Sequence, residues 1–374
     1  MEEKDMQNIT IKNGNVFRED GKFHKGDLFV SGGGITDTEG GDSLTLDAEG
    51  LYIIPGLTDI HFHGCAGHDF CEGTTEAFRA IVDYEAQHGI TTLCPATMTL
   101  PEAELSRIMR GAKSFGEFAG IYLEGPFISR EKMGAQNPAY IVRPSVEMFR
   151  RLQAESGGLI RIAAAAPEVD GAMDFISEVS GEVRVSLAHS ACDYDTAMEA
   201  FRRGARQVTH LYNAMNGINH RKPGPVIAAV ENEDVSVELI CDGVHVHPAV
   251  VRNTLRMFGD DRVIFISDSM EAAGMPDGEY TLGGQKVIKH GNRAVLEDGT
   301  IAGSVTNLMD CMRTAVREMH IPLESAVKCA GINSARAIGI DSHIRTGSRA
   351  NLAALDESLN IAWVMNNGVI ITPQ

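Results

Sequence analysis

Two histidines, His61 and His63, close an apolar run from Ile53 to Ile60 and are followed at once by Gly64. In an extended strand, residues i and i+2 point to the same side, so the two imidazoles would project together and could share one metal ion. The pattern alone is weak: the chain has 13 histidines, and His245 and His247 repeat the spacing. Further along, Glu124, His189, His210 and Asp268 each stand at the end of another short apolar run. Taken singly, each also reads as a loop carboxylate, a packed histidine or a helix cap. As a set, nitrogen and oxygen donors of this kind suit zinc, iron(II), manganese or cobalt alike. Cys65 and Cys71 flank the histidine pair and are further candidate ligands. The seven cysteines are scattered without C-x-x-C spacing, however, and read mainly as reduced core thiols.

The elements that must position these residues form a regular series. Eight apolar runs follow one another: Ile53 to Ile60, Thr91 to Pro95, Ile121 to Leu123, Leu159 to Ala164, Val183 to Leu187, Gln207 to Thr209, Val235 to Ile240 and Val263 to Ile266. Between them lie helical patterns over Thr75 to His88, Pro101 to Phe115, Val146 to Glu155, Ala172 to Val179, Tyr194 to Arg203 and Pro248 to Met257. Strand then helix, repeated eight times, predicts an α/β fold, a closed TIM-like (β/α)8 barrel. An open doubly wound sheet would carry a glycine-rich dinucleotide fingerprint after its first strand, and none is present. In such a barrel the active site lies at the C-terminal strand ends. Asp59, His61 and His63 (strand 1), Glu124 (3), His189 (5), His210 (6) and Asp268 (8) all fall there. Their convergence, more than any single residue, argues for a metal centre.

Residues 8 to 54 and 345 to 374 instead carry short alternating segments with Asn-Gly and Gly-Gly turns. Neither end is long enough for its own core. They are expected to pair as one small β-sandwich domain, 1–54 with 345–374, beside a barrel over 55–344. A turn-rich β stretch at about 278–302 interrupts the helix expected after strand 8 and is expected to form a flap near the barrel mouth.

At 374 residues, with 43% hydrophobic and 22% charged residues, the composition is that of a folded protein with a large core. A formal charge of −18 argues against broad nucleic-acid or anionic-membrane surfaces. A small anion would need a local basic pocket. The polar start MEEKDMQNIT and the lack of any apolar run of about 18 residues predict a cytoplasmic protein without a membrane partner.

The segments IIPGLTDIHFHG, YLEGPFIS, LAHS, THLYNAM, DGVH, SDSMEAAGM and IAGSVTNLMD resemble the N-acetylglucosamine-6-phosphate deacetylases of the amidohydrolase superfamily over nearly the whole chain. The resemblance implies metal-dependent hydrolysis of N-acetyl-D-glucosamine 6-phosphate to D-glucosamine 6-phosphate and acetate, in amino-sugar catabolism. It implies Glu124, His189 and His210 as metal ligands, Asp268 as catalytic acid/base, and Ala135, Asn213, Ala214, Arg221, His245, Ile301, Ala302 and Gly303 as substrate contacts. It also implies that His245 reaches the phosphate from a neighbouring subunit, hence a homodimer or higher homo-oligomer.

Elementary chemistry agrees with that assignment. A divalent metal lowers the pKa of bound water and polarises a carbonyl, and a carboxylate such as Asp268 can take the water proton and pass it to the departing amine. Arg221, with His220 and Lys222 beside it, offers cationic donors for a phosphate; without the resemblance it reads as a solvated loop arginine. Some relatives lack the strand 1 histidine pair, bind one metal and have a histidine where this chain has Gln136. Here His61 and His63 imply a second metal, bridged to the first by Glu124, and leave Gln136 a neutral hydrogen bond to the substrate. Three alternatives stay open. One is a deacetylase of another N-acetylhexosamine 6-phosphate, of the galactosamine type. Another is a cyclic-amide hydrolase, which a lysine ending strand 4 would favour, although that strand ends in Ala163 to Pro167. The third is a scaffold without metals.

Overall fold

The computed structural model describes residues 7–371. Its central element is a ring of short parallel strands, each of which buries one face inward and the other against a helix. Barrel strands 1 to 8 are Leu57–Asp59, Ile90–Leu93, Ile121–Leu123, Ile160–Ala165, Arg184–Leu187, Gln207–Val208, Ser236–Ile240 and Val263–Ile266. Strands 3 to 8 form one parallel sheet, and strands 1 and 2 pair in parallel. Backbone bonds close the two seams. Tyr122 N donates to Pro95 O and Thr97 N to Tyr122 O, each at 2.9 Å, joining strands 2 and 3. His63 N donates to Ser269 O at 2.7 Å and Asp268 N to His61 O at 3.0 Å, joining strand 8 to strand 1. The second seam therefore sets His61, His63 and Asp268 side by side.

Alternation along each strand sorts the core. Ile162, Ala164, Ile240 and Ile266 belong to a cluster inside the barrel, while Ala163, Val185, Leu187 and Leu239 pack with Phe149 and Phe175 of the surrounding helices. The helices run over Thr75–Gln87, Glu102–Phe115, Val146–Glu155, Ala172–Val179, Tyr194–Arg202 and Pro248–Phe258, within a residue or so of their patterns. Thr74, Ser145 and Asp193 cap three of them by accepting from the backbone N–H of Ala77, Met148 and Thr196.

The first strand departs from expectation. The apolar run from Ile53 to Ile60 is two strands, Tyr52–Pro55 in the terminal sheet and Leu57–Asp59 in the barrel. Gly56 marks the break, where a Cβ would lie 2.2 Å from Thr91 Oγ1. Hydropathy is blind to such a switch because the run is buried in both sheets.

Both chain ends enter one eight-stranded sheet, in the order Val369–Ile371, Ile361–Asn366, Leu352–Leu355, Tyr52–Pro55, Ile9–Phe17, Phe23–Ser31, Gly34–Thr36, with Leu44–Asp47 also paired to Ile9–Phe17. Antiparallel pairing of Tyr52–Pro55 with Leu352–Leu355 joins the ends, over a core that includes Ile11, Ile53, Leu352 and Met365. Residues 1–6 and 372–374 of the expected terminal domain lie outside the described residues. The fold is thus an α/β TIM-like barrel with a β-domain built from both ends. Strands Gly278–Leu282, Gln285–His290 and Arg293–Val295 form the separate three-stranded flap, and Leu282 with the loop Thr300 to Gly303 reaches the barrel mouth.

One buried carboxyl gives the fold a measurable pH dependence. Glu85, on helix Thr75–Gln87, is fully buried. Burial, with the Asp59 charge adding to it, raises its carboxyl from the ordinary 4.5 to about 8. The folded chain then holds a proton that the unfolded chain releases above pH 4.5, so stability falls as the pH rises between the two values. The upper bound on this loss is roughly 5 kcal/mol. Glu85→Gln should flatten the decline, giving a higher melting temperature than the wild type at pH 8 and a similar one at pH 5. Parallel melting-temperature profiles for the two proteins would rule this out.

Candidate metal centre

Strand ends position the site, and several do so in a strained conformation. His189, His210 and Asp268 have φ of 45°, 26° and 49°, in the left-handed region that side chains with a Cβ seldom adopt. Such residues cost about 1–3 kcal/mol each and persist only where surrounding structure holds them. Behind His63, a Cβ on Gly64 would lie 2.1 Å from His68 O, so only glycine permits the tight hairpin of Gly64–Cys65 with His68–Asp69.

Four imidazoles converge on the buried carboxylate of Glu124. His189 Nε2 and His210 Nε2 lie 3.2 and 3.1 Å from Oε1, and His61 Nε2 lies 3.4 Å from the same oxygen. His63 Nε2 is 3.3 Å from Oε2 and also 3.3 Å from Asp268 Oδ1, which stands 3.8 Å from His61 Nε2. Two sets of three donor atoms result, His61 with His63 and Asp268, and Glu124 with His189 and His210, each set mutually within 4.8 Å.

The far side of each ring shows what this arrangement requires. His189 Nδ1 faces Lys132 O at 2.8 Å and His210 Nδ1 faces Asn213 O at 3.2 Å. A carbonyl only accepts, so each Nδ1 carries a proton, and a ring with that one proton presents a bare Nε2 lone pair. Those two lone pairs are 3.2 Å apart and both point at a carboxylate oxygen. His61 follows the same rule, with Nδ1 2.8 Å from Glu238 Oε2. Acceptors this close repel unless positive charge lies among them.

The protonation tendencies carry the same message. Burial would lower His61 and His63, but the facing carboxylates more than offset it: Glu238 and Glu124 raise His61, and Asp268 and Glu124 bring His63 to about 9. Burial pushes Glu124 up, yet His61, His189 and His210 hold it well below the usual carboxylate range. A divalent ion supplies the required charge without protons, and a donor set of imidazoles and carboxylates fits one.

The cavity over this cluster, about 250 Å³, is lined by Ala135, Gln136, Asn213, Ala214, His245, Ile301 and Gly303 among the expected residues. Four outcomes differ from expectation. Ala302 is fully buried, packed with Met270 and Leu282 under the flap, and does not line the cavity. Gln136 lines it but is already engaged, accepting from Thr99 N and donating to Glu124 Oε2, each at 2.7 Å. It therefore orients the carboxylate at the centre, and its carbonyl oxygen and one amide hydrogen are taken. Arg221 lies outside, in a second cavity with Asn219 and Lys222. His245, expected to reach the phosphate from a neighbouring subunit, lines the cavity of its own chain.

His245 is paired with a buried carboxylate. Its Nδ1 bonds Asp242 Oδ2 at 2.7 Å, and Asp242 also accepts from the backbone N–H of Val244 and His245. Burial would lower the imidazole, but Asp242 more than offsets it and raises the pKa. This is the local basic feature that an acidic chain needs for a small anion. Asp242 was legible in the DGVH segment, three residues before the histidine. Met98, Gly134, Leu282 and Thr300 also line the cavity, and only the flap's β character hinted at the last two.

The chain's likenesses are consistent across sequence and structure. Residues 52–371 match the model of the amidohydrolase family. The chain is 32% identical to the N-acetylgalactosamine-6-phosphate deacetylase of Escherichia coli O157:H7, over 94% of this chain and 96% of that one. It is 31% identical to the N-acetylglucosamine-6-phosphate deacetylase of Lysinibacillus sphaericus, over 98% and 97%. A mutant of the N-acetyl-D-glucosamine-6-phosphate deacetylase of Mycobacterium smegmatis, solved in complex with N-acetyl-D-glucosamine-6-phosphate, superposes with a TM-score of 0.92 at 32% identity, covering 98% of this chain and 99% of that one.

If each donor set holds one ion, protein purified without chelator should carry close to two divalent metals per chain by elemental analysis. The double substitution His61→Ala with His63→Ala should bring this toward one while far-UV circular dichroism stays unchanged. One metal in fully active wild-type protein would reject the two-ion reading.

Proposed function

Because the chain belongs to the amidohydrolase family, we propose that it hydrolyses the acetamide of N-acetyl-D-glucosamine 6-phosphate, releasing acetate and D-glucosamine 6-phosphate in amino-sugar catabolism. The observation that carries this reading is a single cavity with a metal-competent cluster at its floor and, in its wall, the imidazole of His245 with its pKa raised by Asp242. An amide needs the first and a phosphate the second. The names of the full-length relatives support the same substrate class.

When bound, divalent ions held by His61, His63, Glu124, His189 and His210 would polarise the acetyl carbonyl and make water a better nucleophile. The protein groups do the rest. Asp268, with Oδ1 directed at the cluster, accepts a proton as the water oxygen bonds to the carbonyl carbon. It then passes that proton to the amide nitrogen as the C–N bond breaks and the amine leaves. Gln136 and Thr99 hold Glu124 in place, and His245 anchors the anionic end of the substrate. The loop Thr300 to Gly303 and Leu282 of the flap cover the cavity.

The galactosamine epimer is the second reading, favoured by the Escherichia coli relative. A cyclic-amide substrate has less support, since strand 4 ends in buried alanines. The chain is further read as a barrel over 55–344 and a terminal domain over 1–54 with 345–374, cytoplasmic and homodimeric. Among the described residues no helix is long and apolar enough to cross a membrane. A dimer would give Arg221 a role, since within its own chain it lines a cavity other than the one over the metal-competent cluster.

Three measurements test these proposals. Release of acetate from a panel of N-acetylhexosamine 6-phosphates should favour the glucosamine substrate, and preference for galactosamine would replace the reading with its alternative. Asp268→Asn should stay folded and metal-loaded yet lose about 10²–10⁴-fold in kcat; retention of more than about a tenth of wild-type kcat would assign acid/base work elsewhere. Arg221→Met should raise KM roughly 10–100-fold for the phosphorylated substrate, with little effect on N-acetylglucosamine. Equal effects on both substrates, or full activity in a monomer by analytical ultracentrifugation, would remove Arg221 from phosphate binding.

A further inference from the structure

Beneath the metal cluster, the interior of the barrel is not uniformly apolar. Strand 7, Ser236–Ile240, carries a glutamate at its centre, Glu238, whose side chain is fully buried. An isolated buried carboxylate is among the most costly groups a core can hold. Glu238 is not isolated, and the identity of its partners is informative.

One oxygen, Oε2, accepts from His61 Nδ1 at 2.8 Å and from the backbone N–H of His210 at 3.1 Å. The backbone oxygen of Glu238 accepts from Leu211 N at 2.8 Å, so the residue grips the His210 turn twice. His61 and His210 come from different donor sets of the cluster. A single carboxylate oxygen thus holds the ring of one candidate ligand and the strained backbone of another. The other oxygen, Oε1, accepts from Gln207 Nε2 at 2.5 Å, and Gln207 Oε1 accepts from Arg184 Nε at 2.7 Å. Arg184 can only donate, which fixes the orientation of the Gln207 amide and aims its NH2 at Glu238. Arg184 in turn donates to Arg206 O and Ser236 Oγ. The train therefore runs from the start of strand 5, across strands 6 and 7, to His61 just past the end of strand 1.

We infer that Glu238 is a positioning residue for the metal centre, that it fixes the tautomer and ring orientation of His61 and the turn at His210, and that Gln207 and Arg184 hold it in that role. The physical reason is directional. A carboxylate accepts and does not donate, so His61 keeps its proton on Nδ1 and leaves Nε2 free toward Glu124 and Asp268. A neutral amide between Arg184 and Glu238 supplies a donor without forming an ion pair, which preserves the negative charge behind the imidazole and with it the basicity of Nε2. The inference rests on the metal reading of the cluster proposed above.

Chelator competition on the full-length protein loaded with zinc or cobalt(II) reads the affinity of each ion. Glu238→Gln keeps the shape of the side chain but can present a donor to His61. It should weaken the ion of the His61 set by about 10–100-fold, affect the other less because Glu238 touches His210 only through its backbone, and leave the melting temperature of the metal-free protein near that of the wild type. Saturating metal should restore most of kcat without changing KM. Two ions bound as tightly as in the wild type would overturn the positioning role while leaving the metal reading intact. Equal loss of both ions together with a lower melting temperature of the metal-free protein would make the role merely structural and also overturn it. A wild-type protein that binds no ion in the same assay would reject the metal reading itself. Should Glu238→Gln be insoluble, Gln207→Met is expected to weaken the same ion by a smaller factor, and wild-type affinity in that variant would overturn the inference.

Discussion

Everything at the mouth of this barrel depends on the requirement that positive charge sit beside Glu124. Four histidine Nε2 atoms lie within 3.4 Å of its two oxygens, and three of those rings have their protons committed on the opposite side, to Lys132 O, Asn213 O and Glu238. Lone pairs on lone pairs are repulsive at this separation, and burial removes the water that would otherwise relieve them. The strained φ values at His189, His210 and Asp268 point the same way: strain is retained where the surroundings use it.

Around that requirement the protein builds concentric support. Glu124 is held by Gln136, and Gln136 by the backbone of Thr99. The flap takes part as well, since Gln285 donates to Ala135 O beside Gln136. His61 and the His210 turn lean on Glu238, which sits inside the barrel below them. The seam between strands 8 and 1 fixes Asp268 against the histidine pair through two backbone bonds. Support of this kind limits each ligand to one orientation, which is what separates a reactive centre from a group of histidines that happen to be near one another.

The cavity also reconciles an acidic chain with an anionic substrate. A net charge of −18 sets an unfavourable long-range field for phosphate. Asp242 acts on this locally by raising the His245 imidazole at the cavity wall, and a buried pair of this kind is screened little by salt. The loop Thr300 to Gly303 and the turn at Asn213 and Ala214 line the same cavity.

The sequence by itself determined the barrel, because short apolar runs alternating with helical faces leave few other ways to bury both, and helix patterns such as Val146–Glu155 and Ala172–Val179 recur unchanged in the structure. It also determined that Asp59, His61, His63, Glu124, His189, His210 and Asp268 share one end of that barrel, since they stand at the C-terminal ends of strands 1, 3, 5, 6 and 8. What it left undetermined are quantities of distance and direction. Hydropathy has no signal for Gly56, where one apolar run passes from one sheet to another. That Gln136 is spent on Glu124, that Ala302 packs under the flap, and that Arg221 opens into a different cavity depend on how loops of different strands fold back on one another. Glu238 shows the limit most clearly: in SVELI it is one polar letter in a buried strand, and only closure of the barrel sets it against a histidine 177 positions away. Local periodicity is written residue by residue, whereas which two side chains meet across a closed ring is decided by the ring.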